Sequence, residues 1–379
     1  MSACAWATWL AIVSLALCGC STSTSTGTGI RMGTGDGGGT GGGDSAGRGG
    51  TTVRSDGLSL ITEPGPGDTP FVALIDSARH NVEVTMYELT DQLVEQALVA
   101  AASRGVRVAV LLDPGQYGAG RALNDGAYDY LATHGVLVAW APSYFALTHQ
   151  KSLLIDRRVA AIMTLNLTPA YYSSSRDFAV LDYRPADVTA IAETFDADLH
   201  HIQITPSAGS GDLVWSPGAQ APLAALIAHA QRSLQVESEE MDDPAITTEL
   251  CQAARRGVRV QVLMTYQPTW HAALGYLAGC GAQVRTYAAS TASGEGAGGN
   301  ASGAGGGGDA NGAGAAGLYI HAKLIRVDGR TVFIGSQNLS LQSLTYNREL
   351  GIVTHSPPIV ASIGQTFSSD FAAAQVYSP

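Results

Sequence analysis

Two stretches of this 379-residue chain repeat one pattern. ALIDSARHNVEVTMYEL (73–89) answers to ALIAHAQRSLQVESEEM (225–241), and SRGVRVAVLL (103–112) to RRGVRVQVLM (255–264), both pairs offset by 152 residues. A repeat of domain size limits the fold more than any composition figure, because whatever one half builds the other must build again. In each copy a helix of amphipathic period leads to a strand, a second helix ends at Arg-Gly, and Val-Arg-Val opens an apolar strand. Such βαβ-type alternation predicts an α/β fold with a largely parallel sheet. The expected halves are residues 57–207 and 208–379.

Lysine marks where the halves do chemistry. Of 21 basic side chains only Lys151 and Lys323 are lysine, and each stands two residues after a histidine, in His149-Gln-Lys151 and His321-Ala-Lys323. That usage points to a local need for a compact ammonium, which the planar guanidinium fork does not meet. In a strand, residues i and i+2 share a face, so each histidine and its lysine project together. Asp328-Gly329 in LIRVDGRTVFIG is a hairpin signal, and folding back about it sets Asn338 beside His321. The same construction about Asp156-Arg157 sets Asn166 beside His149. Asp177 lies 28 residues after His149, and Glu349 lies 28 after His321. A carboxylate accepting the imidazole Nδ1–H fixes the tautomer and leaves Nε2 free, and the duplicated spacing predicts that role with each acid matched to the histidine before it. A surface acid at a strand start is the plainer alternative. A zinc site would want a third ligand at close spacing, and His200 and His201 lie on a charged stretch without one.

These residues resemble the signature of the phospholipase D superfamily, His-x-Lys-x4-Asp-x6-Gly-Ser-x-Asn. The second half fits throughout, with His321, Lys323, Asp328, Gly335, Ser336 and Asn338; the first keeps His149, Lys151, Asp156 and Asn166, with Thr164 for serine and Met163 for glycine. The resemblance implies a pseudo-twofold duplicated α/β fold, two mixed sheets flanked by helices, with both patches facing one cleft. It implies that one histidine attacks the phosphorus of a phosphodiester, forming a phosphohistidine, while the other protonates the leaving alkoxide. By the same analogy His149 is the nucleophile and His321 the acid. Lys151, Lys323, Asn166 and Asn338 would hold the non-bridging oxygens, Thr164 and Ser336 would touch substrate, and Asp156 and Asp328 would be structural turn residues near the site. Neither metal nor other cofactor is expected. The glycine permits close backbone approach, so Met163 is expected to loosen phosphate contact in its half. The leading activity is phospholipid headgroup hydrolysis or exchange; a phosphodiesterase nuclease, a cardiolipin-synthase-like phosphatidyl transferase and a non-enzymatic surface binding protein are the alternatives.

Charge and chain ends bear on substrate and location. The formal net charge is -11, and residues 1–56 hold three arginines and three aspartates, so the deficit belongs to the body. An acidic body with so few lysines is poorly equipped for extended nucleic-acid contact, which leaves nucleic acid a lesser candidate than phospholipid. Aromatic residues near the first motif (Trp140, Tyr144, Phe145, Tyr171, Tyr172) are candidates for an apolar rim, with core packing as the alternative for each. The run AWATWLAIVSLAL (5–17) is short for a membrane span and ends in Leu17-Cys18-Gly19-Cys20, which resembles a bacterial lipobox. The expectation is a signal peptide over 1–19, lipidation of Cys20, and a Gly/Ser/Thr-rich tether over 20–56. Export would then leave the protein anchored at an outer membrane, facing periplasm or cell surface, with no obligate protein partner evident. An oxidising compartment would permit Cys251 and Cys280 to pair; two buried thiols are the other outcome. A glycine-rich insertion (294–317) ends four residues before His321 and is expected to be a tolerant loop.

Overall fold

The computed structural model describes residues 56–115, 122–288 and 317–379. The expected signal peptide, Cys20, the tether to residue 55 and the insertion to residue 316 therefore lie outside the described residues. The first half runs β1 (Leu58–Glu63), α1 (Thr69–Ser77), β2 (Asn81–Met86), α2 (Gln92–Ser103), β3 (Arg107–Leu112), α3 (Ala122–Thr133), β4 (Leu137–Trp140), β5 (Ser152–Ile155), β6 (Val159–Met163), α4 (Pro169–Tyr172), β7 (Ser175–Asp182) and α5 (Pro185–Leu199). The second runs β8 (Leu213–Ser216), α6 (Gln220–Ala228), β9 (Ser233–Glu237), α7 (Pro244–Arg255), β10 (Arg259–Thr265), α8 (His271–Gly279), β11 (Gln283–Tyr287), β12 (Tyr319–Ile320), β13 (Leu324–Val327), β14 (Thr331–Gly335), α9 (Leu341–Thr345), β15 (Glu349–Thr354), α10 (Pro357–Ala373) and β16 (Gln375–Val376).

One sheet has the order β1-β7-β6-β5-β2-β3-β4, with β12 of the second half added on β7; the other has the order β16-β11-β10-β9-β13-β14-β15-β8. Among the described residues, parallel strand pairing within a half runs through β2-β3-β4 and β9-β10-β11, the strands that alternate with helices, apart from the isolated bridges Leu89–Leu167 and Met241–Leu339. The largely parallel sheet expected from that alternation is thus corrected to a mixed one. The motif strands β5 and β6, like β13 and β14, are joined by turns too short for a crossover and so run antiparallel.

The repeated Arg-Gly has a local cause. Asp91 caps α2 by accepting from Leu93 N–H (2.9 Å), and Asp243, 152 residues on, caps α7 by accepting from Ile246 N–H (2.9 Å). Each helix then ends in a glycine with positive φ, Gly105 at +88° and Gly257 at +89°. Val106 N–H reaches back to Ala101 O and Val258 N–H to Ala253 O, both at 3.1 Å, closing the last turn before the strand starts.

Three apolar layers follow. Helices α1–α3 cover one face of the first sheet, and α6–α8 cover the matching face of the second. The inner faces meet in a shared core where Phe178, Val180, Ile191 and Phe195 of the first half join Leu324, Ile334, Ile352 and Ile363 of the second. The described residues of the two halves accordingly form one compact unit rather than two. Cys251 and Cys280 are joined in a disulfide (Cα–Cα 5.3 Å) that ties α7 to the end of α8. No helix among the described residues is long and apolar enough to cross a membrane.

Asp156 and Asp328 are turn residues, both at φ 52°. Asp156 accepts the N–H groups of His80 (2.6 Å) and Asn81 (2.9 Å) at the start of β2, and Asp328 those of Arg232 (2.7 Å) and Ser233 (2.9 Å) at the start of β9. Burial would raise their carboxyls, but these backbone donors hold them below the usual range. They are not near the site. Each stands five residues beyond its lysine, about 16 Å away at roughly 3.3 Å per strand residue.

Candidate active site

The two histidines arrive on backbone stitched to the opposite half. Thr148 makes a parallel bridge with Arg348, where Arg348 N–H donates to Leu147 O (2.8 Å) and Gln150 N–H to Arg348 O (3.0 Å). In the other half β12 pairs in parallel with β7, setting Tyr319 against Ser175 and Ile320 against Arg176. The residue before each histidine is also held from within its own half. Thr148 N–H donates to Asp113 Oδ2 (2.6 Å) and Ile320 N–H to Thr265 Oγ1 (2.8 Å), Asp113 and Thr265 being equivalent in the repeat. Burial, outweighing the N–H donors of Thr148 and Gly115, pushes the Asp113 carboxyl up to about 6.

That stitching exchanges the acids. His149 Nδ1 lies 3.0 Å from Glu349 Oε2, and His321 Nδ1 lies 2.8 Å from Asp177 Oδ1. Each imidazole therefore takes its carboxylate from the other half, which corrects the same-half matching drawn from the spacing. With β6 between β5 and β7, Asp177 stands two strands from the His149 strand, about 10 Å at roughly 4.8 Å per strand. No hydrogen bond spans that gap. The bridges described above carry each acid to the opposite histidine instead.

Both pairs are buried, His149 at 8% exposure and His321 at 4%. Burial, and then the Lys151 ammonium, push the His149 ring down to about 4 against the pull of Glu349. At neutral pH it is a neutral imidazole whose Nδ1 proton faces Glu349, leaving the Nε2 lone pair free. Burial would raise Glu349, yet His149 and Lys151 hold it below the usual range; Ser343 Oγ (2.5 Å) and Asn347 Nδ2 (3.0 Å) also donate to it. His321 differs. Its Nε2 faces a second carboxylate, Glu239 Oε2, at 3.5 Å, so both ring nitrogens have an acceptor for a proton. The lysines are fully buried beside their histidines: Lys151 Nζ donates to His149 O (2.9 Å), and Lys323 Nζ meets Glu239 Oε2 (2.9 Å). Asn166 Nδ2 and Asn338 Nδ2 lie 3.5 Å from Glu88 Oε2 and Glu239 Oε2 respectively.

Thr164 and Ser336, expected against substrate, turn to the protein. Thr164 Oγ1 donates to Asp177 Oδ1 (2.5 Å) and accepts Phe178 N–H (2.9 Å), while Ser336 Oγ accepts Leu350 N–H (3.2 Å). Their hydroxyls brace the strands that carry the acids. Gly335 likewise serves packing: a Cβ there would stand 2.5 Å from Gly351 Cα and 2.4 Å from Gln337 Oε1. Met163 in the equivalent position is paired with Ala179, and its side chain packs inside the first core.

A family described as cardiolipin synthase, PLD-like domain, matches residues 71–199 and again 223–371, and so takes in both stitched motifs. The chain belongs to the phospholipase D superfamily. Among solved structures it is similar to phosphatidylserine synthase of Haemophilus influenzae, with a TM-score of 0.62 at 13% identity over 86% of this chain and 89% of that one. It is also similar to polyphosphate kinase of Porphyromonas gingivalis, with a TM-score of 0.58 at 14% identity over 82% of this chain but 46% of that one, so it spans under half of the kinase. The phospholipase D family member Nuc of Salmonella typhimurium aligns at 23% identity over 40% of this chain and 99% of its own, with a TM-score of 0.35. A search of curated protein sequences returns no significant match. Members of this superfamily are phosphoryl-transfer enzymes, and the duplicated fold is theirs.

Sequence reasoning missed several residues of this phospholipase D site. Tyr87 lies edge-on to His149 (centroids 4.7 Å apart) and beneath Lys151 Nζ (4.8 Å). Its counterpart in the repeat, 152 residues on, is Glu239. The alignment of MYEL with SEEM held that difference. The expected aromatic rim is also redrawn. Trp140 stacks on Tyr128 (4.4 Å) and Tyr172 donates to Asp91 (2.8 Å), both packed on the first core. Phe145 lies under the Arg348 guanidinium (4.2 Å), whose bidentate pair with Asp198 is buried. Tyr171 and Tyr319 flank the His321 ring at 6.3 and 6.2 Å. Tyr144 and Tyr346 are exposed on the segments leading to His149 and Glu349.

Proposed function

We propose that the protein is a metal-independent phosphodiesterase of the phospholipase D type, removing phospholipid headgroups through a phosphohistidine. The observation that carries this is the crossed pair of imidazoles in unlike states: one neutral with Nε2 open, the other with a carboxylate at each nitrogen. His149 Nε2 attacks phosphorus; the bond to the headgroup oxygen breaks, and that oxygen takes the proton of His321 Nε2. Water then returns a proton to His321 and attacks phosphorus, and the P–N bond to His149 breaks. Lys151 and Lys323 neutralise the non-bridging oxygens, with Asn166 and Asn338 beside them, so the charge a divalent ion would supply is already present. An alcohol in place of water gives transfer by the same steps.

Two features favour a lipid over nucleic acid. The body is acidic, with no lysine outside the two motifs, and nucleic-acid affinity depends on many phosphate contacts. Tyr144 and Tyr346 are exposed on the segments leading to His149 and Glu349, an apolar contact suited to acyl chains. Anchoring through lipidated Cys20, facing periplasm or cell surface, would keep such substrate at high local concentration, and the Cys251–Cys280 disulfide suits an oxidising compartment. Purified enzyme should release headgroups from phosphatidylcholine, phosphatidylethanolamine or phosphatidylglycerol vesicles in EDTA and carry acid-quenched phosphate on His149. Metal-independent DNA degradation with every phospholipid untouched would overturn the lipid reading, and unchanged membrane fractionation of Cys20→Ser would overturn the anchor.

A further inference from the structure

The two halves of the site are not chemically alike, although the repeat makes them superposable. Where the first half sets the Tyr87 ring beside His149 and Lys151, the second sets the Glu239 carboxylate beside His321 and Lys323. Glu239 is held in place: Tyr319 OH donates to Oε1 (2.8 Å), and Asn338 Nδ2 lies 3.5 Å from Oε2. Its side chain is 12% exposed, so it borders the opening rather than the core. Burial would raise its carboxyl, but Lys323 and His321 outweigh burial and keep it anionic.

An anion beside the phosphate-binding lysine works against phosphate, so its presence calls for a compensating gain. The position supplies one. Attack by His149 places the departing oxygen on the His321 side, and whatever that oxygen carries emerges next to Glu239. We infer that Glu239 selects for a cationic leaving group: phosphate takes over Lys323 and His321 Nε2, and the displaced carboxylate meets an ammonium two carbons from the leaving oxygen, as in ethanolamine or choline headgroups. A headgroup with only hydroxyls offers Glu239 neutral hydrogen bonds but no charge to replace Lys323, and a leaving strand with further phosphates is repelled. Tyr319 is placed to keep the carboxylate near this position during the exchange.

The inference rests on the phospholipase D reading of the site but is tested apart from lipid turnover. Phosphoethanolamine and glycerol 3-phosphate are titrated into the intact protein and into Glu239→Gln, with 31P NMR as the readout. Wild type should bind phosphoethanolamine at least tenfold more tightly; Glu239→Gln should bring the two within about twofold of each other and bind inorganic phosphate more tightly than wild type. No preference in wild type overturns the inference without any variant, as does a preference that Glu239→Gln leaves intact. In parallel, wild type should release ethanolamine from phosphatidylethanolamine vesicles faster than glycerol from phosphatidylglycerol vesicles, and Glu239→Gln should lower the ratio of kcat/KM values at least tenfold. Release from neither vesicle overturns the lipid reading alone, and the ligand ratio still decides Glu239.

Discussion

Because each histidine takes its acid from the opposite half, Asp177→Asn and Glu349→Gln should damage different steps. Glu349 holds the proton of His149 on Nδ1 at 3.0 Å. A glutamine can donate its amide there, which moves the proton to Nε2 and blocks the attacking lone pair. Glu349→Gln should therefore slow every substrate by roughly 10³- to 10⁴-fold, the scale of losing the correct tautomer. Asp177 instead lies 2.8 Å from His321 Nδ1 in a buried site, where the proposed acid would need its carboxylate. A charge-assisted bond of that kind is worth about 1.5–3 kcal/mol, or roughly 10- to 150-fold in rate. Asp177→Asn should lose that factor or more on an alkyl phosphodiester, which needs proton delivery. It should lose under about fivefold on a nitrophenyl phosphodiester, whose leaving group departs unprotonated. Steady-state kcat/KM for both esters, with melting curves to confirm folding, is the assay. If Asp177→Asn slows the two esters equally while Glu349→Gln spares the nitrophenyl ester, the crossed assignment is refuted.

Other outcomes follow from the same geometry. With its folded value depressed to about 4, His149 should stay competent down to weakly acidic pH, and kcat/KM should fall with an acid limb near 4 rather than near the ordinary histidine value. Burial raises the Glu237 carboxyl to about 8, and neither of its oxygens has a hydrogen-bond partner among the described residues. The folded state then binds more protons than the unfolded one between about 4.5 and 8, so this group erodes stability as pH rises through that window, and Glu237→Gln should raise Tm more at pH 8 than at pH 5. Cys251→Ser should lower stability by about 3–4 kcal/mol in denaturant titration, the loop-closure value for a separation of 29 residues. Gly335→Ala forces atoms within 2.5 Å of the Gly351 backbone and should destabilise by at least 1–3 kcal/mol, whereas Met163→Gly should cost stability by leaving a cavity in the first core.

What the sequence made legible was whatever repeats at a fixed offset. The α2 and α7 caps, the Arg-Gly stops and the hairpins about Asp156 and Asp328 depend on neighbours within one half, so local pattern reaches them. The partners of Asp177 and Glu349 do not. Their equal spacing from His149 and His321 records symmetry, and symmetry is silent on whether a contact lies within a copy or between copies. Strand order was needed to exclude the first. The bracing roles of Thr164, Ser336 and Gly335 went unread for a related reason: a motif says which residues recur together, and a hydroxyl bracing a strand recurs as faithfully as one touching substrate. Glu239 was hidden by its neighbour, since two adjacent glutamates opposite a Tyr-Glu pair look conservative until one of them is found against Lys323.

The crossed wiring also sets how late in synthesis the site can be completed. Contacts between residues 200 positions apart in the chain, His149 with Glu349, close only after nearly all 379 residues are available. A nascent chain that has completed the first motif, with His149, Lys151 and Asn166 all present, still lacks the acid that pairs with His149. Any truncation before residue 349 lacks the His149–Glu349 pair and should be silent towards phosphodiesters. Long-range assembly of this kind is slow, and here the pairing of His149 with Glu349 waits until synthesis is almost finished.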